Sequence, residues 1–158
     1  MIAIIDSGGA NIASVQFALE RLSVTSVLTT DVAIIRDAER VILPGVGAAP
    51  VAMDIMSKAG LVDVIRGLTQ PVLGVCLGMQ LLFDQSPEKA DSADPDTSLL
   101  GITPGDCAAF TPAIERSLPH MGWNSLDFTS DHVLLDGIEQ GAYAVSYTHL
   151  RAHETRIH

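Results

Sequence analysis

Three uninterrupted apolar runs, Ile2–Ile5, Val41–Leu43 and Val72–Val75, each stop within a few residues at a turn carrying glycine. A run without polar alternation suits a strand buried on both faces, as in a parallel sheet flanked by helices. Between these runs, Ala10–Leu22 places Ile12, Val15, Ala18, Leu19 and Leu22 at helical spacing, and Val51–Ser57 and Leu61–Leu68 read as further helical pieces. Val24–Leu28 returns as another strand, whereas Val32–Arg36 fits either state. Strand–helix alternation with short turns implies right-handed crossovers and an α/β fold, an open and mostly parallel sheet with helices on both faces. Ligands of such sheets bind beyond the carboxyl ends of the strands. Asp6–Gly9, Pro44–Gly47 and Cys76–Gly78 all fall at that edge.

The 158 residues suffice for one domain, and 47% hydrophobic against 18% charged residues marks a globular chain. A net charge of −10 repels phosphate backbones and anionic lipid, so no nucleic-acid or membrane partner is expected. Nothing approaches the roughly 20 apolar residues of a membrane span. Met1–Asp6 has neither the basic region nor the apolar length of a signal peptide, and Cys76 and Cys107 form no disulfide framework. A cytoplasmic location is expected. His149 and His153 are four apart, but without a third ligand no metal site is expected. Ser86–Ser98 reads as an exposed mobile loop, and Gly105–Phe110 and His132–Leu135 as short later strands.

Gly74-Val75-Cys76-Leu77-Gly78 reads as a strand turning sharply into a helix, Leu77–Asp84, with a thiol at the tip. Glycines two before and two after a nucleophile are the spacing of a nucleophile elbow, where a Cβ would obstruct the turn. The other reading is a buried small cysteine in a core strand. A thiolate attacking a carbonyl needs N–H donors for the developing oxyanion. The N–H of Leu77 is one candidate, and that of Val46 or Gly47, beyond the neighbouring strand, is a second. Pro44–Gly47 is also readable as an ordinary strand-ending turn.

Four segments occur together and in order: Asp6-Ser7-Gly8-Gly9-Ala10-Asn11, Leu43-Pro44-Gly45-Val46-Gly47, Gly74–Leu82, and Leu118-Pro119-His120-Met121-Gly122-Trp123-Asn124. From Met1 to about Tyr143 the chain resembles the glutaminase subunits of imidazole glycerol phosphate synthases, class I glutamine amidotransferases with a flavodoxin-like fold. The resemblance implies that Cys76 attacks the side-chain amide of glutamine, forming a glutamyl thioester and releasing ammonia. It places Val46, Gly47 and Leu77 in the oxyanion hole and Gln80 against the substrate. Asn11, Trp123 and Tyr143 would meet a (β/α)8-barrel synthase (cyclase) subunit, to which ammonia passes; no cofactor is implied. The glycines flanking Val46 would allow the backbone of the oxyanion turn to flip.

Plainer readings stand beside these. Trp123 fits a core aromatic, Gln80 a solvent-facing helix residue, Asp6 a cap on the turn into the first helix, and Cys107 a buried small apolar residue. His120 is expected to be structural.

The family pattern also includes a His-Pro-Glu sequence, which these 158 residues do not contain. Adjacent His153 and Glu154 would point to opposite faces of a strand and do not replace it. The expected organisation is therefore an amidotransferase domain over 1–144, incomplete at its C-terminal side, followed by a non-native or disordered tail over 145–158. Little turnover, and marginal stability or association, would follow. The alternatives are a non-catalytic fragment that docks on the synthase, or another class I amidotransferase feeding anthranilate or GMP synthesis, which the Pro119–Asn124 segment disfavours.

Overall fold

The computed structural model describes residues 1–158 except 9–10, 92, 112–119, 129–130, 140, 142, 149 and 155–158; of 120–121, 143–148 and 150–154 it describes the backbone only. Two compact units result, one of Met1–Ala108 with Ala152–His158, the other of Ala109–Arg151.

In the first unit, β1 (Ile2–Ile5), β2 (Ser26–Thr29), β3 (Arg40–Gly45) and β4 (Val72–Cys76) form a parallel sheet of order β2-β1-β3-β4. The order matches the first four strands of the flavodoxin-like arrangement, with its switch point between β1 and β3. Right-handed crossovers put α1 (Ile12–Arg21) on one face. The same rule puts α2 (Val32–Asp37), α3 (Ala49–Lys58) and α4 (Val62–Arg66) on the other. Burial follows that division. Ala3, Ile5, Val41 and Leu43 pack with Ile35, Ala52, Met56, Val64 and Ile65 in one apolar core, while Ile4 and Ile42 are buried outside that cluster. The double-sided burial expected of β1 and β3 is therefore present.

Ambiguous Val32–Arg36 is a helix because Asp31 caps it, accepting from the N–H groups of Ala33 at 2.7 Å and Ile34 at 3.3 Å. The helix expected over Leu77–Asp84 is instead a single turn, α5 (Leu77–Gln80). Its continuation fails because the N–H groups of Leu82 and Phe83 bond three residues back, to the Met79 and Gln80 carbonyls, and that of Asp84 leaves for the Gly105 carbonyl. The chain is thereby drawn into a smaller sheet holding β5 (Gln85–Ser86), β6 (Thr97–Ser98) and β7 (Gly105–Ala109), in the order β10-β7-β5-β6 with β10 at Leu150–Glu154.

Ser86–Ser98 is correspondingly no plain mobile loop. Its ends pair antiparallel, Ser86 is fully buried, and Lys89 and Asp96 form an ion pair at 3.5 Å.

In the second unit, β8 (His120–Ser125) pairs antiparallel with β9 (Tyr143–Thr148), so the expected boundary at residue 144 falls inside a strand. The strand expected at His132–Leu135 is a 3-10 turn, Val133–Leu135. The imidazole Nδ1 of His132 accepts from the N–H of Leu134 at 3.1 Å and tightens the chain there. No helix among the described residues is long and apolar enough to cross a membrane.

Candidate active site: a strained thiol at the sheet edge

Cys76 ends β4 with φ 56° and ψ −121°, a conformation that only Gly adopts without strain. Its thiol is exposed and makes no capping bond to the helix it precedes. The turn is possible because α5 lies directly against the strands. A Cβ on Gly78 would fall 1.8 Å from the Leu43 carbonyl oxygen, and one on Gly74 would fall 2.5 Å from the Cα of Met79. Neither contact can be accommodated without moving backbone, so both glycines of the elbow are dictated by packing. The reading of Cys76 as a buried strand cysteine is contradicted by its exposure; that description fits Cys107, 4% exposed on β7.

Register brings the second loop to the sulfur. Gly45 pairs with Cys76 across β3 and β4, so Val46 and Gly47 leave the sheet one step beyond the thiol. A Cβ on Gly45 would sit 2.5 Å from the Gly78 nitrogen and 2.8 Å from the Leu77 Cβ. Val46 is 48% exposed, and Gly47 has φ +87° with open space around its missing Cβ. The side chain of Leu77 is buried and anchors the first residue of α5. Thiol, Val46 turn and the start of α5 thus converge at the carboxyl edge of β3 and β4.

Gln80 lies at the end of α5, half-buried, and its carbonyl accepts from the Cys107 Sγ at 3.7 Å. Burial, with Glu88 and Asp106 nearby, pushes the Cys107 thiol up to about 11. Asn11 is exposed at the N-cap of α1, on the loop after β1, and makes no side-chain cap. Asp6 caps the turn that leads into that helix, as expected, its Oδ1 accepting from the Gly8 N–H at 3.1 Å.

In the second unit, Trp123 is 71% exposed on β8, which overturns the core-aromatic reading. Tyr143 opens β9 opposite Ser125. The side chains of Tyr143, His120 and His153, and all of Gly9, Ala10, Pro119 and His149, lie outside the described residues. Sequence reasoning passed over two side chains beside the site. The buried hydroxyl of Ser7 donates to the Pro44 carbonyl, and the Glu88 carboxylate accepts from the N–H of Ala49. No local pattern announces either contact.

The strained, exposed cysteine set against a glycine-bearing turn is the geometry a family comparison can decide, and one does. The family description "Glutamine amidotransferase class-I" matches residues 3–155. The chain belongs to the class I glutamine amidotransferases.

Individual amidotransferases agree. "Imidazole glycerol phosphate synthase subunit HisH" of Xanthomonas axonopodis pv. citri is 49% identical over 143 residues, covering 90% of this chain and 68% of that protein. The protein of the same name from Shewanella oneidensis is 45% identical over 153 residues, covering 90% and 69%. A solved structure titled "Crystal structure of glutamine amidotransferase" superposes with a TM-score of 0.64 over 92% of this chain and 70% of that one. At 15% identity that likeness speaks for the amidotransferase fold.

Proposed function

We propose that this chain is the glutaminase subunit of an imidazole glycerol phosphate synthase in histidine biosynthesis, with Cys76 as its nucleophile. The observation that carries the proposal is the strained, exposed Cys76, registered beside Gly45 at the edge of the sheet. The names of the relatives supply the choice among amidotransferases.

In the proposed reaction the Cys76 thiolate adds to the side-chain carbonyl carbon of glutamine. The developing oxyanion takes N–H donors from Leu77 and from Val46 or Gly47. The C–N bond then breaks, ammonia leaves with an added proton, and water cleaves the thioester to glutamate. Gln80 holds the substrate. Asn11, Trp123 and Tyr143 face a (β/α)8-barrel cyclase subunit that accepts the ammonia. Losing one oxyanion donor typically slows such a step by about 10²–10³.

The proton for the leaving ammonia needs a base poised beside the thiol. The resemblance assigns that task to a His-Pro-Glu sequence, and these 158 residues contain none. We therefore propose that this polypeptide acylates and turns over poorly.

The experiment supplies glutamine to the chain together with the cyclase and follows ammonia, with asparagine and Cys76→Ala as controls. Slow release that depends on Cys76 and is absent with asparagine is expected, because the step that expels ammonia lacks its proton donor. Release that persists in C76A overturns the assignment, and sustained turnover overturns the claim of poor turnover. Co-purification with the cyclase but no ammonia at all would favour the docking module.

A further inference from the structure

The single turn of α5 ends on Gln80, and the chain beyond it is locked to a segment further downstream. The carbonyl of Leu81 accepts from the Leu100 N–H at 3.0 Å and that of Phe83 from the Gly101 N–H at 2.8 Å. The Leu82 carbonyl accepts from Ile102 at 2.9 Å and from Thr103 at 2.8 Å. Leu81, Leu99 and Leu100 are almost wholly buried, so bonds lost here are not replaced by water. The end of α5 therefore sits where Leu99 and Leu100 let it sit.

Those two residues are held in turn by one cation. Arg66, the last residue of α4, donates from Nε to the Leu100 carbonyl at 2.8 Å and from Nη2 to the Leu99 carbonyl at 3.1 Å. A guanidinium offers its donors in a rigid plane, and hydrogen bonds from a charged donor are stronger than neutral ones. Its Nη1 also lies 3.6 Å from the Asp63 Oδ1, but that carboxylate is exposed, and water competes for it. The fork onto two successive carbonyls is the contact that fixes the side chain.

The main chain of Gln80 is occupied as well. Its carbonyl accepts from the Phe83 N–H at 3.1 Å and from the Cys107 Sγ at 3.7 Å. A brace thus runs from α4 through Leu99 and Leu100 to Leu81, the residue next to Gln80.

We infer that Arg66 is a positioning residue: through Leu99, Leu100 and Leu81 it fixes the end of α5 and with it the side chain of Gln80. The chemical meaning rests on the proposed function, which sets Gln80 against glutamine. The brace itself is a property of the unliganded chain.

The test uses the full 158-residue chain and Arg66→Met, which keeps an apolar stem and removes both donors. Iodoacetamide alkylates Cys76, peptide mapping follows the adduct, and glutamine is added until the rate halves. R66M should need about fivefold more glutamine, the equivalent of one hydrogen bond, while the rate without glutamine holds. Arg66→Lys, a cation without the fork, should fall between. Gln80→Ala should also raise the half-protecting concentration, and adding R66M to it should raise it little further, since both changes remove the same contact. An Arg66 with a purely structural role would lower the melting temperature and leave half-protection unchanged, and that result overturns the inference. Fully additive effects of R66M and Q80A overturn the route through Gln80.

Amide exchange without ligand reads the brace by itself. Amides of Leu81 and of residues 99–101 should exchange severalfold faster in R66M, with those of β1 and β3 unchanged; equal exchange overturns the brace. If glutamine never protects Cys76 of the unaltered chain, the glutaminase reading fails, and exchange alone decides whether Arg66 fixes the end of α5. Should R66M fail to fold, R66K is read in the same way, with smaller shifts expected.

Discussion

Cys76 holds a backbone conformation that costs a β-carbon-bearing residue about 1–3 kcal/mol, and its neighbours leave the chain no other path. Replacing it with glycine removes the strain. The added freedom of the unfolded chain offsets about 0.4–1 kcal/mol of that gain. Cys76→Gly should therefore melt a few degrees higher while losing all modification at this position, which calorimetry and peptide mapping check together. The second cysteine behaves in the opposite way. Burial, Glu88 and Asp106 raise the Cys107 thiol from its ordinary 9.0 to about 11. The folded chain then keeps a proton that the unfolded chain gives up, so stability contributed below about pH 9 is lost as the pH climbs towards 11. Denaturant midpoints across that window should fall, and should fall less in Cys107→Val. At pH 8 a thiol reagent should count one reactive cysteine, with the second appearing only on unfolding.

Elements differ in how openly the sequence declares them. β1 and β3 were readable because strands buried on both faces leave unbroken apolar runs, and α1 and α3 because ten residues span nearly three turns of apolar spacing. α2 was ambiguous because six residues are too few to show a period. Its helical state depends on Asp31, and Asp31→Ala should cost about 1 kcal/mol in a denaturation titration. A loss below a few tenths would mean the cap is incidental. The C-terminal limit of α5 was not legible, since the amide of Asp84 that would extend it bonds the Gly105 carbonyl, some twenty positions downstream. In Ser86–Ser98 the exposed middle was legible, but the paired ends were not. Its polar residues look like a loop until Ser86, Glu88 and Thr97 meet their partners in three dimensions. At the site, the glycine spacing around Cys76 announced an elbow, whereas Ser7 and Glu88 act through contacts between residues 37 and 39 positions apart.

Across the molecule, the sheet is sealed on one face and open along part of the other. Leu73 and Val75 share the face of Ile42 by register, yet they remain 43% and 40% exposed, whereas Ile42 is 6% exposed. Among the described residues β4 pairs only with β3, leaving a hydrophobic edge of the kind that promotes association. Light scattering should show concentration-dependent assembly of this polypeptide, and Leu73→Lys with Val75→Lys should suppress it; a chain monomeric at all concentrations would refute the point. Glutamine hydrolysis by this chain would depend on one sulfur standing clear of that sheet where the substrate's amide can reach it. Its most direct test is to treat the chain with a glutamine-analogue electrophile and map the adduct by mass spectrometry. The predicted result is a single modification at Cys76, slowed by excess glutamine, with Cys107 untouched. Modification of neither cysteine, or equal modification of both without protection by glutamine, would contradict it.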